Sequence, residues 1–116
     1  MTRHDPGNTS DLHDDVQDKL FRILKDMGRR PVMEHLVPSI ALGMCKIDVA
    51  DLTPKQPSVY YEIETEGRTA RFRAKEREFH KRLGKDIQLI DLRELKRDVP
   101  KLEFLKVMKW LRERVI

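Results

Sequence analysis

The strongest constraint on the fold is a change of periodicity repeated across residues 58–92. "SVYYEIETE", residues 58–66, is rich in β-branched and aromatic residues and reads as a strand that Gly67 ends. Thr69 to Leu83 then reads as a highly charged helix. Its apolar positions are Ala70 and Ala74, or Phe72, Phe79 and Leu83, with Gly84 as C-terminal cap. "DIQLIDL", residues 86–92, is a short apolar strand. Antiparallel neighbours need only a tight turn, whereas a long helical crossover between two strands predicts a parallel pair.

The segments before this unit add strands of a different kind. From Asp11, the apolar residues Val16, Leu20, Ile23, Leu24 and Met27 recur at helical spacing until Gly28, and Ser10 or Asp11 would cap the helix. The preceding "MTRHDPGNTS", residues 1–10, is polar and predicts a flexible tail, leaving 11–116 as a single domain. "VMEHLVPSIALGMCKIDVADL" is too interrupted by Pro38 and Gly43 for a helix. It reads as two strands, about 32–37 and 44–50, turning near Pro38 to Gly43. "LTPKQPS" is a loop. Pro100 opens a last helix with Leu102, Leu105, Met108, Leu111 and Val115 as its apolar stripe. The prediction is an α/β fold: a small mixed sheet flanked by helices, in the order helix, three strands, helix, strand, helix.

A chain of 116 residues supports one modest core. The 24 Lys and Arg exceed the 20 Asp and Glu, giving +4 at neutral pH, and the bases crowd Arg68 to Lys85 while acids collect at Asp5, Asp11, Asp14, Asp15 and Asp18. One cysteine, Cys45, excludes an intramolecular disulfide and a cysteine-rich zinc site, and it reads as a small apolar strand residue. No run of some 18 apolar residues and no export leader is present, which predicts a soluble cytoplasmic protein without a membrane partner.

Strand alternation puts Tyr60, Glu62 and Glu64 on one face of the third strand, opposite Tyr61, Ile63 and Thr65. In the second, Lys46, Asp48 and Ala50 would lie opposite Ile47 and Val49. Neighbouring strands would then bring Asp48 beside Glu62 and Glu64. Carboxylates so close repel unless a cation or a proton intervenes, and hard oxygen donors suit Mg²⁺ or Mn²⁺. A half-solvated strand has the same alternation, and Lys46 could pair across strands with Glu62.

The combination of this element order with Asp48 in "IDVA" and, fourteen residues on, Glu62 in "YEIET" resembles the core of the PD-(D/E)XK nucleases, the restriction-endonuclease-like superfamily. The resemblance spans about residues 14–95. It implies metal-dependent hydrolysis of DNA phosphodiesters, with Asp48 and Glu62 as metal ligands and Glu64 either completing the sphere or accepting a proton from water. The sequence departs from the motif in two places: Ile47 stands where the motif has Pro, and Glu64 where it usually has Lys. The resemblance therefore implies that another cation substitutes, Lys46 or Lys75, the latter from the following helix. It also implies an acid from the first helix, Asp15 or Asp18, while Asp51 would start a turn.

The charged helix would supply a DNA-binding surface of Arg68, Arg71, Arg73, Lys75, Lys81 and Arg82, although Glu76 and Glu78 interrupt it as they would a plain solvated helix. His80 reads as a surface residue, and Tyr60 and Tyr61 as packing residues. Trp110, on the apolar "LEFLKVMKWL", packs in the core or in a homodimer seam formed by the C-terminal helix. The alternative function is a nuclease-fold module without catalysis, serving in DNA binding or assembly. A third reading is an interaction protein whose acids are surface residues.

Overall fold

A computed structural model of the protein describes residues 9–39 and 43–116. Its elements are α1 (Thr9–Asp26), β1 (Pro31–Ser39), β2 (Gly43–Asp51), β3 (Val59–Glu64), α2 (Ala70–Leu83), β4 (Ile87–Asp91), α3 (Leu92–Asp98) and α4 (Phe104–Arg112). The four strands form one sheet in the order β1-β2-β3-β4. The first two pairings are antiparallel, and β3 runs parallel to β4 across the α2 crossover. The class is mixed α/β, as the periodicity predicts.

Two apolar layers cover the sheet. Leu12, Val16, Leu20, Ile23 and Leu24 of α1 pack with Val49, Tyr61, Ile63 and Ile90 of the strands, with Leu92 and Leu95 of α3, and with Val107, Met108, Trp110 and Leu111 of α4. On the other face Phe72 and Phe79 of α2 meet Cys45, Ile47, Ala50, Tyr60 and Ile87. The α2 boundaries follow from capping. The Thr69 side chain accepts from the Phe72 N–H, and Gly84 takes the left-handed conformation (φ 61°) that lets the last turn close.

Several boundaries differ from the sequence reading. Helix α1 begins at Thr9, inside the expected tail, so Asp11 lies in its first turn and not at its cap; residues 1–8 lie outside the described residues. Pro38, Ser39 and Gly43, expected in a turn, belong to the strands, and the rest of that turn lies outside the described residues. Met27 falls past the end of α1 and is exposed. Helix α3 was not foreseen, because "LIDL" reads as apolar strand. Asp91 ends β4 by accepting from the Arg93 N–H, which redirects Leu92 and Leu95 into a helical turn. Helix α4 starts at Phe104, not at Pro100, since Leu102 adopts a left-handed φ of 51° that no helix continues.

Within α4 the expected stripe rotates. Met108 and Leu111 are buried, but Leu105 is 78% exposed. Trp110 belongs to the core, with its indole N–H donated to Asp98 at 2.9 Å. Asp51 does start a turn, accepting from the Thr53 N–H. It is also buried, and Arg29 neutralises it at 2.7 Å. The same guanidinium donates to the Ile116 carbonyl, and the Ile116 N–H donates to the Tyr61 hydroxyl, so the last residue is fastened against the end of the sheet.

Candidate metal and nucleic-acid site

The candidate site lies where β2 and β3 separate. Their ladder covers only Val49↔Tyr61, Ala50↔Tyr60 and Asp51↔Val59. Beyond it the side chains of the next two residues replace backbone pairing. The Asp48 N–H donates to Glu62 Oε1 at 2.9 Å, and the Ile63 N–H donates to Asp48 Oδ2 at 2.8 Å. Each carboxylate thereby satisfies a backbone donor that the parted strands would leave unpaired.

The backbone at Asp48 is irregular in a way that alternation does not foresee. The β1–β2 register skips Glu34 and Asp48, and Glu34 has a left-handed φ of 52°. Across this point the phase of β2 slips: Cys45, Ile47 and Ala50 join the cluster under α2, while Val49 joins the one under α1. Ile47 and Val49 therefore do not share a face, and Ala50 is not on the side of Asp48. One consequence is that Asp48 is met from the α1 layer and Glu62 from the α2 layer, with the carboxylates meeting in the gap between the strands.

From α1, His13 Nε2 approaches Asp48 Oδ2 at 3.2 Å, and the Gln17 amide donates to the Asp48 carbonyl at 2.8 Å. From α2, Lys75 Nζ donates to Glu62 Oε2 at 2.7 Å and to the Lys46 carbonyl at 3.0 Å. His13, Asp48, Glu62 and Lys75, together with Met44, Lys46, Glu64, Thr65 and Arg71, line a cavity of about 580 Å³.

The electrostatics follow from burial and charge. Burial raises the Glu62 pKa first, the Asp48 charge raises it further, and Lys75 offsets only part, leaving it at about 7. Burial also acts upward on Asp48, but the hydrogen bonds from His13 and the Ile63 N–H outweigh it and hold its pKa below the ordinary value. The hydrogen bond to Asp48 raises His13, and burial raises Glu64. Near neutral pH Asp48 is thus ionised and Glu62 is close to half protonation.

The sequence-predicted residues divide clearly. Asp48, Glu62, Glu64, Lys75 and Arg71 line the cavity. Lys46 also lines it, but its ammonium extends toward Glu34 (3.7 Å) rather than pairing with Glu62. Lys75 takes that position. Arg68 is paired with Glu76 at 2.8 Å and lies over the Phe72 ring, Arg82 lies 3.9 Å from Glu78, and Arg73 and Lys81 are exposed. His80 is at the surface beside Asp86. Of the α1 acids, Asp15 pairs with Lys19 and Asp18 is exposed. His13 and Gln17 occupy the position expected of Asp15 or Asp18. The sequence signal was a polar i, i+4 pair set among the buried Leu12, Val16 and Leu20, with Gln17 itself only 7% exposed.

Among the described residues, no three His, Cys, Asp or Glu side chains converge on an ion-sized point. Glu64 therefore lines the cavity without completing a three-carboxylate cage. Two carboxylates suffice for Mg²⁺, which usually keeps water and takes substrate phosphate oxygens for its remaining positions. The oxygens of Asp48 and Glu62 are of the right chemistry for it. Comparison with family models, with curated protein sequences and with solved structures finds no match to this chain. Among the described residues, no helix is long and apolar enough to cross a membrane.

Proposed function

We propose that the protein is a Mg²⁺- or Mn²⁺-dependent endodeoxyribonuclease with a restriction-endonuclease-like core, hydrolysing DNA phosphodiester bonds at the Asp48–Glu62 cleft. The observation that carries this reading is the juxtaposition of the two carboxylates between parted strands, Glu62 accepting from the Asp48 N–H and Asp48 from the Ile63 N–H, with Lys75 2.7 Å from Glu62. Lys75 supplies, from α2, the cation that Glu64 displaces from the sequence motif.

Asp48 and Glu62 would hold the ion, which when bound lowers the pKa of water and offsets charge on the phosphate. Glu64, its pKa raised by burial, is a better proton acceptor from the attacking water than an exposed carboxylate. Lys75 presents fixed positive charge beside the same position, and Arg71 on the preceding turn of α2 faces the incoming phosphate backbone. The exposed Phe104 and Leu105 leave α4 an apolar surface for a homodimer.

A second reading has its own support. His13 and Lys75 already pair with Asp48 and Glu62, so the site is satisfied by protein alone, as in a DNA-binding or assembly module that has lost catalysis. Calorimetric titration with Mn²⁺ and plasmid nicking, on wild type and Asp48→Ala, separate the two. The nuclease reading expects Mn²⁺ binding, nicking, and loss of nicking by at least about a hundredfold in the variant. Nicking retained in Asp48→Ala would remove the assignment, and DNA binding without metal binding would favour the second reading.

A further inference from the structure

The ribbon formed by β1 and β2 projects past β3, because Gly43–Ile47 pair with β1 alone. One side of it is buried: Val37, Cys45 and Ile47 pack toward Tyr60 and α2, and the His35 ring stacks on Tyr60 at 6.3 Å. The opposite side is open. Leu36 is 54% exposed and Met44 59%, and their cross-strand partners Lys46 and Pro38 are exposed as well. Alternation along β2 puts Met44 and Lys46 on the side of Asp48, and Met44 lines the same cavity. Met44 thus stands on the rim of a polar cleft with Leu36 diagonally adjacent to it across the ribbon.

We propose that Leu36 and Met44 form an apolar wedge that enters the base stack of DNA lying in the Asp48–Glu62 cleft. Substrates with an already weakened stack, such as a nick, a mismatch or a branch point, are then preferred over continuous duplex. This rests on the nuclease reading of the cleft and adds a substrate class to it. Large apolar residues, Leu and Met among them, unstack base steps in this way, and the cost of unstacking is least where pairing is already disturbed.

Charge and backbone favour DNA over a second copy of the chain. Lys75 is taken up by Glu62, but the exposed Arg71 on the cavity wall and Lys46 beside the wedge, 3.7 Å from Glu34, present positive charge to a polyanion and repel their own duplicates. Strand-to-strand pairing with another copy is opposed by Pro31 and Pro38 near the ends of β1 and by the left-handed Glu34 between them. The spacing is also commensurate. Leu36, opposite Lys46, is two strand positions from Asp48, and Met44 is four, about 7 and 14 Å at some 3.4 Å per residue. Stacked nucleotides repeat at about the same 3.4 Å, so the wedge meets the stack roughly two to four nucleotides from the cleft.

The test is fluorescence of 2-aminopurine placed at successive positions around a nick, with Ca²⁺ replacing Mg²⁺ so that binding is read without cleavage. Wild type should raise the signal over a window of about two to four nucleotides and leave a continuous duplex unchanged. Leu36→Ser/Met44→Ser should remove the rise and lower the preference for nicked over continuous DNA roughly tenfold, the ratio for burying one Leu-sized side chain. Leu36→Phe, which keeps a large apolar group, should retain the rise. Thermal melting checks that the double variant is folded. A rise that persists in the double variant, or wild-type binding with no rise, overturns the wedge. So does a shift of the double variant from dimer to monomer in gel filtration, which would make this face a subunit contact. Unstacking without metal-dependent cleavage would refute only the nuclease reading, and absence of DNA binding would refute both.

Discussion

Glu62→Gln is expected to remove about 2.5 kcal/mol of the pH dependence of stability between pH 5 and 8. The Glu62 pKa stands at about 7 in the folded protein against an ordinary value of 4.5. A folded pKa above the unfolded one means that the native state binds the extra proton. The stabilisation is therefore complete below pH 4.5 and is lost as pH rises through 7. At about 1.36 kcal/mol per unit, linkage over pH 5 to 8 gives a loss of about 2.5 kcal/mol in the wild type. Burial justifies using the shift without a discount for solvent screening, since the residue is 4% exposed. His13 and Glu64, also raised, contribute in the same direction above their ordinary values, so it is the difference between wild type and Glu62→Gln that isolates the Glu62 carboxyl group. Urea unfolding at a series of pH values, followed through the fluorescence of the single tryptophan, Trp110, measures both proteins. Mg²⁺ should flatten the wild-type curve by favouring ionised Glu62 and leave the variant unaffected. Parallel curves for the two proteins would mean that Glu62 titrates in its ordinary range, and the argument from burial and Asp48 repulsion would be wrong.

Two further substitutions test other parts of the account. Lys75→Met should lower metal-dependent cleavage by about a hundredfold, mainly in kcat, with a smaller loss of DNA affinity that shrinks as salt rises, measured as kcat and KM separately. It should also move the Glu62 transition to higher pH, because the Lys75 ammonium that opposes the shift is gone. Leu95→Ala, in the unforeseen helix α3, removes a fully buried side chain and should cost about 2–5 kcal/mol by urea unfolding; a cost below about 1 kcal/mol would place α3 outside the cooperative core.

The element order, the parallel crossover and the pairing partners of β2 were legible because each rests on local periodicity, and local periodicity survives into the sheet. Asp48 and Glu62 were legible because a polar residue at a strand position flanked by apolar ones is itself a signal. Their approach from opposite layers was not, because it depends on the phase slip at Asp48 and on the left-handed Glu34, and neither residue type signals an irregular strand. His13 and Gln17 were passed over because the search on α1 was for acids, while the structure uses a polar pair that interrupts the apolar face. Helix α3 escaped because its two buried leucines are too few to define a helical period. Met27 and Leu105 continue their stripes in sequence, but Met27 lies beyond the last turn of α1 and Leu105 at the first turn of α4.

Asp48 is flanked by one neighbour anchored beneath α2 and another anchored beneath α1. Sliding or rotating its backbone would have to uproot a side chain from one interior or the other, so the carboxylate is held as rigidly as the two interiors are packed. Whatever settles between Asp48 and Glu62 must conform to a fixed gap instead of reshaping it. On the proposed metal reading, discrimination there should accordingly be by ionic radius and reach, and mutations that loosen either Ile47 or Val49 should blur it before they unfold the chain.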